Sequence, residues 1–467
     1  MSFYRQSRSL PKRFRLILAS FLQRSGLPFA DVLPEDAIKK AFDDEDATFA
    51  DDEDAVYTPA VTLWAFLSQV LFKDEHRSCV AAVARVVVLL VALERGVCSS
   101  NTGAYCRARG KLSEKVLRQI TIHVGEGCEN KLDKQWLWHG RHVRLVDGTT
   151  VSMPDTPANQ EAYPQNPQQR EGLGFPIARV VVLLSLATGM LTGMAMGPYA
   201  GKETGESALL RSLLGRFKRG DILLADRYYC SYFMIALLQE LGIDFVVRLH
   251  QRRTVNFRRG RHLGKDDHVV TWDRPKRPQW MDQQTYERIP LSIGVRETRV
   301  RVTQPGFRVD SFVAVTSLTD AEQYAKDEIA SLYQCRWLAE LDIRAIKITM
   351  GMDVLRCKTP EMVRKEMWTC LLAYNLIRQT MLQSARRAGV LPRTLSFTAA
   401  MQSIAASWLV TALSDDALAA QLINAALASM AEHIVGNRPG RVEPRAIKRR
   451  PKEHALLTQP RNQARVN

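Results

Sequence analysis

Six residues in the stretch YQCRWLAELDIRAIK, namely Tyr333, Arg336, Trp337, Glu340, Arg344 and Lys347, recur at helical spacing. On a helix turning ~100° per residue they share one face about 100° wide. Such a face is ordinarily apolar and packs on a core. This one carries an acid, three bases and two aromatics, a set that suits phosphate groups held beside a carboxylate. Two further acids stand out by position: Asp147 in HVRLVDGTTVSM and Asp226 at the end of DILLADRYYC. Three converging carboxylates repel one another unless cations neutralise them, and oxygen donors select hard ions such as Mg2+ or Mn2+. Two such ions about 4 Å apart serve phosphodiester cleavage, one activating the attacking oxygen and the other stabilising the leaving oxygen. Each acid also has a plain structural reading. Asp147 can begin an Asp-Gly turn, Asp226 can cap a helix or pair with Arg227, and Glu340 can sit on a helix surface. Their occurrence with the basic stripe favours a site.

The elements that would position these acids are legible as patterns. HVRLVDGTTVSM alternates, is rich in β-branched residues and reads as a strand. RVVVLLSLATGMLTGMAMGPY reads as two strands turning at ATG, and GESALLRSLLGRFKRG as an amphipathic helix with a glycine stop. DILLADRYYC is a short buried strand, SYFMIALLQELG a helix and IDFVVRLH a strand. The order β-β-β-α-β-α-β predicts a mixed α/β sheet with helices on its faces. Residues 251–318 alternate and contain turns, which suggests a mostly β insertion, after which helices return.

Residues 1–135 read as mostly helical. TPAVTLWAFLSQVLF opens on a Thr-Pro cap, as does the later helix TPEMVRKEMWTCLLAYNLIRQTMLQSARRAG. CVAAVARVVVLLVALERGV is the most apolar stretch, but Arg85 interrupts it and it falls short of a membrane span, so it reads as a buried helix. The chain of 467 residues has 65 Lys and Arg against 49 Asp and Glu, a net +16 that points to a polyanionic partner. Eight acids between 43 and 54 read as a solvated connector and leave the remainder more basic still. The eight cysteines form no CxxC pair, which argues against a zinc ribbon and suits a reduced cytosolic protein. The basic N-terminus has too short an apolar run for a secretion signal. From residue 438 the tail holds nine Lys or Arg against two Glu and is interrupted by proline, so it should be extended and able to lie on DNA.

Tyr333, Arg336, Glu340 and Lys347 reproduce a Y-(2)-R-(3)-E-(6)-K signature, and with it the chain resembles the DDE transposases of insertion-sequence family four. VDGTT resembles the block around that family's first Asp, LADRYYCSYF the block around its second, and the β insertion lies where the family places one. The resemblance covers roughly residues 140–375, and GNRPGRVEPRAIKRRPK resembles the endings of many members. It implies an RNase H-like catalytic core, a mixed five-stranded sheet with flanking helices, formed by 140–250 and 319–380 and interrupted by the β-rich insertion 251–318. Around it would lie a helical N-terminal domain (1–135) for DNA-end binding, a helical C-terminal region (385–435) and the basic tail (436–467). Asp147, Asp226 and Glu340 would be catalytic ligands of two Mg2+ (or Mn2+) ions. Water would release a 3′-hydroxyl at the element end, and that hydroxyl would then attack target DNA. Tyr333, Arg336 and Lys347, with Arg344 on the same stripe, would contact DNA, and Trp337 or Trp272 could stack an extruded base. The implied partners are double-stranded DNA, as terminal inverted repeats and target, and a second copy of the chain. The implied setting is the bacterial cytoplasm at the nucleoid, with no membrane. The alternatives are a non-catalytic DNA-binding repressor and a metal-dependent nuclease without strand transfer.

Overall fold

The computed structural model describes residues 15–23, 55–72, 74–301, 311–435, 457–460 and 463. The acidic run 43–54 and most of the basic tail lie outside the described residues. The chain forms two compact units, one of Met1–Asp133, Ala187–Thr192 and Ile343–Val435, the other of Lys134–Leu186, Gly193–Asp342 and Gly436–Asn467. No described helix is long and apolar enough to cross a membrane.

Among the described residues, the first unit opens with α1 (Arg15–Ser20), α2 (Pro59–Leu71), α3 (Cys79–Ala92), α4 (Thr102–Lys111) and α5 (Glu114–Glu129). Thr58 caps α2 by accepting the Val61 amide at 3.3 Å, and Pro59 occupies the first turn, where its missing N–H costs nothing. The apolar stretch at 79–97 is not buried all round. Ala82, Val83, Val86, Leu89 and Leu90 of α3 face inward, while Val80, Val88 and Val91 are exposed.

The second unit is built on a nine-stranded sheet. Its strands are β1 (Val143–Ser152), β2 (Ile177–Ser185), β3 (Leu191–Pro198), β4 (Ile222–Ala225), β5 (Asp244–Arg248), β6 (Arg261–Gly264), β7 (Asp267–Asp273), β8 (Ser292–Arg301) and β9 (Ser311–Thr316). Between them lie α6 (Pro157–Ala162), α7 (Glu206–Arg211), α8 (Tyr232–Glu240) and α9 (Gln283–Arg288), followed by α10 (Lys326–Gln334) and α11 (Trp337–Arg344). The strand order is β3-β2-β1-β4-β5-β9-β8-β7-β6. Strands β1, β4 and β5 are parallel and β2 runs antiparallel to β1, so the first five strands have the order of an RNase H-like core. The sheet does not stop at five strands. Strand β5 would otherwise expose a row of unpaired amides and carbonyls, and β9 covers it by antiparallel pairing of Val246 with Thr316 and Val247 with Val315. The β-rich segment therefore continues the core sheet.

One face of this sheet is sealed by α7 and α8. Val146, Leu223 and Phe245 from the strands pack with Leu209, Leu210, Phe233 and Ile235 from the helices, all buried. Helix α7 is shorter than the amphipathic pattern suggests; it ends at Arg211 and a 3-10 turn follows at Leu214–Arg216. Arg296 of β8, fully buried, fixes the exit from the sheet. It grips Asp267 with two hydrogen bonds of 2.9 and 2.6 Å and donates to the carbonyls of Leu318 and Tyr324 at 3.2 and 2.7 Å. Those carbonyls belong to the loop that leads into α10 and α11.

The first unit closes with α12 (Pro360–Ala388), α13 (Phe397–Leu413) and α14 (Asp416–Glu432). Helix α12 is buried around almost its whole girth, polar residues included. Asn375 shows how this is tolerated: its amide donates to the carbonyls of Thr121 and Leu191, both at 2.9 Å, and its oxygen accepts the Leu191 amide at 2.8 Å.

Replacing Arg296 by alanine leaves Asp267 as a buried unpaired charge and frees two carbonyls. We expect a loss of about 3–5 kcal/mol in urea unfolding, larger than for truncation of an exposed arginine of the same unit such as Arg258.

Candidate active site

Three parallel strand ends define the site. Register pairs Leu145 with Leu224 on β1 and β4, and Ala225 with Val247 on β4 and β5. Carried on past these pairs, it sets Asp147, Asp226 and Arg248 side by side where the parallel pairing of β1, β4 and β5 ends, the edge at which open α/β sheets bind ligands. Asp147 does not begin a turn; it pairs with Val182 inside the β1–β2 ladder, and its Oδ1 accepts the amide of Gly148 at 2.9 Å. Asp226 does cap a short helix. It stands just beyond β4 in an extended conformation, and its Oδ1 accepts the Tyr228 amide at 2.8 Å at the head of the 3-10 turn Arg227–Tyr229.

Glu340 reaches this corner through Arg336. The Arg336 guanidinium pairs with Glu340 one helical turn on, and its Nη1 lies 3.6 Å from Oδ2 of Asp147. Burial pushes the Asp147 carboxyl up to about 6; the Gly148 amide and Arg336 oppose the rise, and the Asp226 and Glu340 charges add to it. The three acids therefore share one electrostatic field. Tyr333 joins them: its ring centroid is 4.7 Å from that of Phe312, and burial, opposed by Arg336 and assisted by Asp226, pushes its phenol up to about 12.

The stripe does not run along one regular helix. Helix α10 ends at Gln334, the amides of Cys335, Arg336, Leu338 and Ala339 bond three residues back rather than four, and a π turn follows α11 at Ala345–Thr349. Tight and wide turns in succession change the angular spacing, so an even ~100° step does not hold across the stretch. The middle segment of the second unit ends at Asp342 and Ile343–Val435 belongs to the first unit, so Arg344, exposed at the end of α11, and Lys347, in the π turn, belong to the first unit. Trp337 is 42% exposed. Trp272 is buried, donates its Nε1 hydrogen to Glu297 at 2.9 Å and lies 3.7 Å beneath the Arg253 guanidinium, so it is committed to the packing of β7 and β8.

Other charged residues at this corner have no spacing signal in the sequence. Arg248 ends β5, and its pKa is lowered first by burial, then by Arg227, with Arg336 also repelling it and Asp226 attracting it. Three guanidiniums thus gather near Asp226. Glu206, in the first turn of α7, lies against Gly148: a Cβ built there would fall 2.3 Å from the Glu206 carboxyl carbon. Only the glycine makes that approach possible.

The donor set fits a hard divalent cation. All three acids present oxygen, and Asp147 is half-buried among like charges with Arg336 as its paired cation. Among the described residues no three His, Cys, Asp or Glu side chains are grouped closely enough to hold a metal as they stand. Arg336, hydrogen-bonded to Glu340 and ion-paired with Asp147, supplies the compensating charge in this arrangement.

Residues 138–376 match the protein family described as the transposase DDE domain. The chain is similar to the transposase InsG for insertion sequence element IS4 of Escherichia coli (strain K12), 29% identical over 300 residues, covering 63% of this chain and 64% of that protein. The chain thus spans under two thirds of the length of that relative. Among solved structures, the piggyBac transposase synaptic complex with hairpin DNA aligns with 93% of this chain and 88% of its own, at 10% identity and a TM-score of 0.42.

Because the Asp147 pKa of about 6 lies above the ordinary 3.8, the folded state holds that proton more tightly, and the stability it brings is lost as pH rises through 6. Asp147→Asn never ionises. In metal-free buffer it should exceed the native protein by on the order of 2 kcal/mol at pH 7.5, with the gap closing near pH 4 in chemical unfolding.

Proposed function

The chain belongs to the transposase DDE domain family, and on that premise we propose that it is a cut-and-paste transposase of an insertion sequence. Asp147, Asp226 and Glu340 hold two Mg2+ or Mn2+ ions. Bound ions of this kind activate an attacking oxygen and stabilise a leaving oxygen in phosphodiester cleavage and strand transfer. The observation that supports this most directly is the coupling of the three acids, brought from a strand, a strand end and a helix into one field around Arg336.

The chain's own residues divide the work. Asp226 is held by its capping bond to Tyr228, which fixes its carboxylate before any ligand arrives. Arg336, Arg227 and Arg248 crowd together against mutual repulsion, which a DNA phosphate relieves by accepting charge-assisted hydrogen bonds. Tyr333 backs this pocket, and the exposed Trp337 offers a stacking surface for a base. Arg344 and Lys347 contact the DNA backbone further along. The substrate is double-stranded DNA, first as terminal inverted repeats and then as target. One chain contains one such constellation and two ends must be cut and joined, so the working form is a homodimer on paired ends, at the bacterial nucleoid. The helices of residues 1–135 and the basic tail recognise the ends.

The test is cleavage of a labelled element-end duplex with Mg2+ or Mn2+. The native protein should cut at the end, and Asp147→Ala, Asp226→Ala and Glu340→Ala should bind the duplex without cutting it. Equal cutting by all four rules out this site. Binding without cutting by the native protein makes it a repressor, and cutting without joining to supercoiled target makes it a nuclease.

Deleting residues 438–467 removes nine basic residues. It should weaken duplex binding and flatten the dependence of log affinity on log salt, by about 0.9 for each phosphate that the tail neutralises. An unchanged slope would mean that the tail does not touch phosphate.

A further inference from the structure

Gly148 and Asp147 are neighbours on β1, so their side-chain directions point to opposite faces of the sheet. Asp147 turns to the face where Arg336 and Glu340 stand. Gly148 shares a face with Val146, which packs among the residues of α7 and α8. Glu206 fills the space above Gly148 on that face, with its carboxyl oxygens 2.6 and 2.7 Å from the position a Cβ would take. It is fixed there by the hydroxyl of Tyr229, 1% exposed, which donates to its Oε2 at 3.3 Å. Asp226, just beyond the end of β4, sees both sides. Its charge acts on Asp147 and on Glu206 alike.

An acid in the first turn of a helix is usually free to turn outward into water. Here it turns inward, toward the Asp226 charge, with Arg179 as a nearby cation. Arg179 is itself occupied, donating to the Thr204 carbonyl at 3.0 Å and lying 4.8 Å over Tyr199. Holding carboxylates near one another without a full complement of cations is unfavourable unless a further positive charge enters.

We propose that Glu206 is a positioning residue of the same pocket, strengthening divalent-cation binding from the face of the sheet opposite Glu340 by acting through Asp226. The inference rests on the metal-dependent reading of Asp147, Asp226 and Glu340. Glu206 adds negative potential beside Asp226, whose charge it shares across the sheet, and so raises the attraction of the pocket for a cation. Tyr229 in turn restrains Glu206. Outer carboxylates of this kind typically change metal affinity ten- to a hundredfold.

The experiment is titration of the full chain with Mn2+, followed by the paramagnetic resonance signal of the free ion, alongside thermal unfolding in metal-free buffer. Glu206→Gln keeps the size and the oxygen that accepts from Tyr229 but removes the charge. We expect it to weaken Mn2+ binding about tenfold while unfolding no earlier than the native protein. Tyr229→Phe keeps the charge and loses the restraint, and should weaken binding by a smaller factor. Asp147→Asn should abolish the tighter binding. Native-like Mn2+ affinity in both Glu206→Gln and Tyr229→Phe, with binding lost in Asp147→Asn, overturns the role of Glu206 and leaves the three-acid site standing. Native-like affinity in Asp147→Asn overturns the site and this inference together.

Discussion

Mutual repulsion among carboxylates at the ends of parallel strands is the constraint around which the second unit is organised. Asp147 and Asp226 approach because β1 and β4 are parallel neighbours in register, which is a property of the backbone ladder and not of the side chains. The ladder is stabilised by the apolar packing behind it, where Val146, Leu223 and Phe245 meet α7 and α8. That burial, on the order of 25 cal/mol for each Å2 of apolar surface, offsets the cost of crowding the acids at the rim. Arg336 then offsets what the fold has forced together, hydrogen-bonded to Glu340 and ion-paired with Asp147. Arg227 and Arg248 bring further positive charge to the same corner, and the neutral phenol of Tyr333 backs it.

Much of this corner was readable as pattern, and the unread part has physical reasons. Asp147 and Asp226 announced themselves because each ends or interrupts a strongly apolar, β-branched run, and such runs depend only on local alternation. For Asp226 the structural role and the place in the acidic corner coexist, since the carboxylate that caps the 227–229 turn also acts on Asp147 through its charge. The helix bearing Glu340 was legible, but its breaks at 335–336 and 345–349 were not, since no proline or glycine marks either one. The extent of the sheet was missed because pairing of β9 with β5 joins residues some 70 apart, and a local window does not see such a bond. Glu206 had no signal at all. Its placement depends on the absence of a side chain at Gly148, and the stretch VDGTT reads equally well as a turn.

The helical unit follows a different logic. Helix α12 is buried on nearly every side although its sequence is rich in polar residues, so its stability leans on hydrogen bonds that reach most of them. Glu366 accepts the amides of Arg356 and Cys357, each at 2.9 Å, and pairs with Arg77 at 3.3 Å. Thr380 bonds the Phe21 carbonyl at 2.8 Å, and Ser384 the Leu427 carbonyl at 2.7 Å. Elements that open the described chain and elements that close it are thereby tied to one rod. Such a network specifies a single packing more sharply than an apolar core does, since a slipped register strands several donors at once.

The union of β5 with β9 also bears on how separable the parts of this protein are. Residues 251–318 look in the sequence like a cassette that excision would leave harmless. Because their last strand closes the flank of the sheet, a shortened chain would present β5 to solvent as an adhesive strip, open to recruitment by any other extended segment. The insertion is in that sense a solubility device for the fold, and a minimal version of this domain would have to supply a substitute seal before it could remain in solution.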